Sequence, residues 1–90
     1  MVNFNFDEFK DKLIKQLDFP SVYMFKFIIE SDNKKLALVE ALFREESEIS
    51  TRTSSSGKFI SVTSKQVVLN VEEVITIYKN AQNIEGIMAL

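Results

Sequence analysis

Residues 5–17, NFDEFKDKLIKQL, place Phe6, Phe9, Leu13 and Leu17 three or four apart, the spacing of one helical face. Asn5 can cap this helix, and Glu8 three residues on completes a capping-box pattern. The apolar stripe is narrow, so the spacing predicts an accessory helix that lies on a larger body. Pro20 then forces the chain out of helical geometry. PSVYMFKFIIE follows with Tyr23, Phe25, Phe27 and Ile29 on one face and Val22, Met24, Lys26 and Ile28 on the other. A strand apolar on nearly both faces is expected at the centre of a sheet, with part of its second face covered.

Ser31 and Asp32 are N-cap candidates for a second helix. In it Leu36, Val39 and Phe43 form one line and Leu38 and Leu42 the next, a wide core-facing stripe that should fade between Arg44 and Ser47. EISTRTS alternates weakly and carries little apolar content, like an edge strand. Ser54, Ser55, Ser56 and Gly57 supply a turn, because glycine accepts positive φ and serine side chains bond to nearby backbone. KFISVTSKQVVL continues as a strand. Asn70 and Glu73 repeat the capping-box pattern before a helix whose buried stripe is Val71, Val74, Ile75, Tyr78 and Ala81, with Asn83 at the position of a left-handed C-cap. IEGIMAL closes the pattern as a short apolar strand.

Apart from the leading helix, the order is strand, helix, strand, strand, helix, strand. This predicts an α+β fold of the ferredoxin-like βαββαβ kind: a four-stranded antiparallel sheet, two helices on one face, and the first and third strands central. The expected division is an N-terminal accessory helix over residues 1–18 and the ferredoxin-like domain over 19–90. Ninety residues allow one domain, which buries only about 60 to 65% of its unfolded surface. The apolar positions Met24 and Ile28 therefore need a cover, either the leading helix or a second copy of the chain in a homodimer.

Composition narrows the chemistry. The chain has no Cys and no His, so thiolate metal sites, disulfides and the usual general base are absent, and neither a metal nor a cofactor is expected. The formal charge of -2 argues against nucleic acid as the default partner. Acids and lysines interrupt the N-terminal segment, and no apolar run approaches the length of a membrane span, so a cytoplasmic protein is expected. Carboxylates fall at helix surfaces and ends: Glu72 and Glu73 suit a helix N-terminus. With no activated nucleophile in sight, the expectation is a non-catalytic protein.

The segment TRTSSSGKFISVTSK invites a phosphate-loop reading, but only Gly57 and Lys58 fit it. Arg52 stands where the first glycine belongs, and Phe59 leads into a strand rather than a helix. A hairpin turn accounts for Gly57 without any ligand. A single-stranded RNA-binding domain that uses the open sheet face is the alternative, since that architecture stacks bases on central-strand aromatics. If Tyr23, Phe25 and Phe27 face inward, only Phe59 remains exposed for such stacking.

FPSVYMFKFI, TRTSSSGKFISVT and EEVITIYKNAQNIEGIMAL resemble the YbeD-like family of small bacterial proteins, a domain of unknown function. The specific parts are the Phe-Pro that opens the first strand, the Ser-Ser-x-Gly-Lys-aromatic turn followed by Ser-Val-Thr, and Ile-Tyr followed by Ile-Glu-Gly. The resemblance implies a ferredoxin-like fold similar to ACT regulatory domains, which bind effectors such as amino acids beside a glycine-bearing turn after the first strand. Here that turn is Glu30, Ser31, Asp32 and Asn33, without glycine. The expected function is a regulatory or interaction module for a protein partner or small-molecule effector. Its candidate surface is Arg52, Ser54, Ser55, Ser56, Lys58, Phe59, Ser61 and Thr63.

Overall fold

In the computed structural model, which describes residues 5–90, the order is α1 (Phe6–Gln16), β1 (Ser21–Glu30), α2 (Asn33–Glu40), β2 (Glu48–Thr53), β3 (Phe59–Val68), α3 (Val71–Ala81) and β4 (Met88–Ala89). The first four residues of the predicted accessory segment lie outside the described range. The strands form one antiparallel sheet in the order β2-β3-β1-β4. This α+β arrangement of three helices and four strands has an order consistent with the ferredoxin-like pattern, and β1 and β3 are central.

Register explains which side chains are buried. Phe25 lies opposite Ser64, Phe27 opposite Val62 and Ile29 opposite Ile60, so these residues share one face of the sheet. That face forms the core with Val39, Phe43, Val74, Ile77 and Tyr78. The rings of Phe25 and Phe27 both contact Phe43, just beyond α2, and Tyr78 of α3. Two polar residues, Ser64 and Gln66, are buried in the same layer. Gln66 Oε1 accepts from the Arg44 N–H at 3.3 Å, whereas the Ser64 hydroxyl has no partner among the described residues.

The caps form much as the side chains dictate. Asn5, Asp32 and Asn70 each accept from backbone N–H groups of the first turn they precede. Helix α2 is shorter than its apolar stripe suggests and ends at Glu40. Phe43 stays buried in the turn that follows, but Leu38, expected in the core, is 46% exposed. The second apolar line is therefore split: Leu42, in the turn after Glu40, packs against the core, while Leu38 stays exposed. After α3, the C-cap is Gln82, with right-handed backbone angles, and Gly86 further on has a positive φ. The last segment is strand only at Met88–Ala89, because Ile84 and Ile87 are buried through the turns around Gly86.

The leading helix does not cover Met24. Instead Phe9 of α1 meets the Tyr78 ring edge-on at 5.2 Å and Leu13 is buried, so α1 packs on α3. Lys10 pairs with Glu72 at 2.7 Å, and the Lys79 ammonium lies 5.6 Å from the Phe6 ring centre. The opposite face of the sheet, carrying Val22, Met24 and Met88, stays in solvent among the described residues.

Candidate functional site

Two of the three turn serines hold the β2–β3 hairpin in its own shape. Ser54 N–H donates to Phe59 O at 2.8 Å and Gly57 N–H donates to Ser54 O at 2.9 Å, which closes the turn. Ser54 Oγ accepts from Phe59 N–H, and Ser56 Oγ accepts from Lys58 N–H. Gly57 has φ 76°, a left-handed conformation that disfavours other residues. Its absent Cβ would meet nothing within 4 Å, so glycine is required by backbone angle and not by a ligand.

Five of the eight sequence-predicted residues come together. Arg52, Ser54, Ser55, Phe59 and Ser61 line an open groove of about 440 Å³, with Ile28 and Thr53 completing it. Ser56, Lys58 and Thr63 do not line it. Antiparallel register puts Arg52 beside Ser61 and Ser61 beside Ile28, a single row across the open face of three strands. Phe59, at the end of β3, is 48% exposed although aromatic, and it forms the apolar wall. The Arg52 guanidinium has no ion-pair partner among the described residues, and no acid lines the groove.

A second depression, of about 290 Å³, lies beside Arg44, Glu72 and Glu73. The hydrophobic pattern alone does not reveal it. Here the charged groups are already engaged. Arg44 Nη2 donates to Glu73 Oε1, and Arg44 Nη1 donates to Val67 O at 3.2 Å. Glu73 Oε2 accepts from Leu69 N–H at 2.6 Å, one residue before the cap, so this carboxylate closes both the helix start and the arginine contact. The capping-box pattern in the sequence points to Glu73 but not to Arg44, which lies 29 residues away.

Titration behaviour follows packing. Burial pushes the Tyr78 hydroxyl above its ordinary value, and a hydrogen bond with Tyr23 adds to the effect. At the surface, the hydrogen bond between Lys10 and Glu72 raises the lysine and lowers the carboxyl. No group of three or more His, Cys, Asp or Glu residues among those described could hold a metal ion. No helix is long and apolar enough to cross a membrane among the described residues.

Fold and site together define a small α+β domain with one sheet face packed, the other open, and a basic groove at the hairpin end of the open face. The family model described as "Protein of unknown function (DUF493)" matches residues 15–90. The chain belongs to that family, the YbeD-like proteins. The match takes in the whole sheet, α2 and α3, and begins near the end of α1. No curated protein and no solved structure matches the chain.

Proposed function

We propose that this domain is a non-catalytic interaction module of regulatory character, working through the open face of its sheet. The observation that carries the reading is the set of apolar side chains on that face: Val22 is 66% exposed and Met24 54%, with Met88 and Phe59 exposed beyond them. Exposed apolar side chains gathered on one surface mark interaction sites, whereas scattered ones need no explanation. The acids beside the Arg44 depression are held in ion pairs, which supports binding over catalysis.

The reading takes the fold as ferredoxin-like with both domain helices against one sheet face, similar to ACT regulatory domains. Strand order supports it, as do the contacts of Phe25 and Phe27 with both Phe43 and Tyr78. The turn after β1 is occupied otherwise than in that resemblance. Asp32 accepts from the Lys34 and Lys35 N–H groups, and Ser31 N–H donates to Lys58 O, so recognition is assigned to the sheet face.

The test compares tagged wild type with Val22→Ser/Met24→Ser/Met88→Ser in capture from cell extract and in sedimentation. A partner, or a second copy, retained by wild type and lost by the folded triple variant supports the reading. Identical behaviour of the two removes it. RNA binding is the second reading, favoured by Phe59 lying beside Arg52 on the open face. Affinity for a fluorescent single strand that falls with salt and with Phe59→Ala would establish RNA as the ligand instead.

A further inference from the structure

The chain has two arginines, and they stand in opposite situations. Arg44 is bound by Glu73 and the Val67 carbonyl, so its charge is already answered. Arg52 has neither an ion pair nor a side-chain hydrogen bond among the described residues, and it borders a groove without acids. The nearest acid in register is Glu30, opposite Phe59, and it is paired with Lys35 at 3.4 Å.

The other walls of the groove divide into two kinds. Ile28 and the half-exposed Phe59 offer an apolar surface, while Ser55 at the turn presents a hydroxyl with no partner among the described residues. A volume of about 440 Å³ falls in the range that small ligands occupy. A guanidinium recognises carboxylate and phosphate groups through paired N–H donors, and one such fork satisfies both oxygens of a carboxylate. A phosphate carries more charge, and the groove offers it hydroxyls but no cation besides Arg52, which suits a singly charged carboxylate better.

We propose that this groove binds a small carboxylic acid with an apolar body: the carboxylate on Arg52, with Ser55 as an additional donor, and the apolar part against Phe59 and Ile28. The inference rests on the reading of the open face as a binding surface, and it adds a ligand class and a place on that face.

The experiment uses the full chain, labelled with ¹⁵N, titrated with 3-phenylpropanoate and separately with the neutral 3-phenylpropanamide. Saturable shifts at the Arg52, Ser55, Phe59 and Ser61 amides are expected with the acid. Binding of the amide should be weaker by about tenfold or more, as the loss of a charge-assisted pair requires. Arg52→Gln should abolish the response to the acid, and Lys65→Gln, on the same face two rows away, should leave it intact. Absent shifts, equal binding of the amide, or an undiminished response in folded Arg52→Gln would overturn the proposal. Partner capture through Val22, Met24 and Met88 is measured separately, so loss of one result with retention of the other identifies which idea fails.

Discussion

The hydroxyls of Tyr23 and Tyr78 lie 3.2 Å apart and bond to each other across the interface between β1 and α3. Tyr23 also contacts the Phe25 ring at 4.6 Å, and Tyr78 lies edge-on to Phe9, so this bond sits where sheet, α3 and α1 meet. Tyr23→Phe and Tyr78→Phe each remove the bond and keep the rings. Each is expected to lower unfolding free energy by about 1 kcal/mol. The double variant should cost less than the sum, because one shared bond is lost once. Urea unfolding of the four proteins checks this, and strict additivity would show that the two hydroxyls do not stabilise each other.

Tyr78 also predicts behaviour in alkali. Its folded hydroxyl ionises above the ordinary tyrosine value, while the unfolded one ionises near pH 10. The unfolded state therefore releases its proton first as pH rises. Stability from this group is full below about pH 10 and declines from there up through the folded value. Urea midpoints should fall as pH rises above about 10 in the wild type, and less steeply in Tyr78→Phe. Parallel declines in the two proteins would exclude Tyr78 as the source.

Glu73 serves Leu69 N–H and Arg44 together, so the two ways of removing its charge should differ. Glu73→Ala leaves both donors unsatisfied and is expected to cost about 1–2 kcal/mol. Glu73→Gln retains an acceptor for Leu69 and should cost less. Thermal unfolding of both variants decides the point, and equal losses would mean that the charge of Glu73, not its placement, is what counts.

Ser64 is the reverse case. Its hydroxyl is buried beside Phe25 in register and unbonded among the described residues, so removing it deletes a desolvated group without leaving a partner behind. Ser64→Ala should leave stability unchanged or raise it by up to about 1 kcal/mol. A clear loss in denaturant titration would reveal a hydrogen bond to this oxygen.

The elements with strong periodicity were legible in the sequence because each has a local cause. Alternation in β1 put Phe25 and Phe27 inward, and Asn5, Asp32 and Asn70 marked the helix starts by side-chain chemistry that acts within a few residues. Leu38 was misplaced because spacing marks two adjacent apolar lines on α2 without saying which positions meet the core, and tertiary packing takes Val39 and leaves Leu38 exposed. The direction of α1 was likewise a choice between two apolar surfaces, and it was made by Tyr78 rather than Met24. At the candidate site, the hairpin segment was visible from its serines and Gly57. Ile28 escaped notice as part of it, since only the β1–β3 register brings that residue alongside Ser61.

The brevity of β4 gives β1 two different neighbourhoods along its length. Leu90 N–H donates to Lys26 O at 2.9 Å, so even-numbered residues of β1 direct their backbone groups toward β4 and odd-numbered ones toward β3. Lys26 and Ile28 have a strand to meet on that side, while Val22 and Met24 do not among the described residues. In deuterated solvent the strand should therefore exchange in a comb: Val22 and Met24 amides rapidly, and Tyr23, Phe25 and Phe27 between and beside them orders of magnitude more slowly. A strand central to the core by its side chains is thus, for half its length, a border by its backbone.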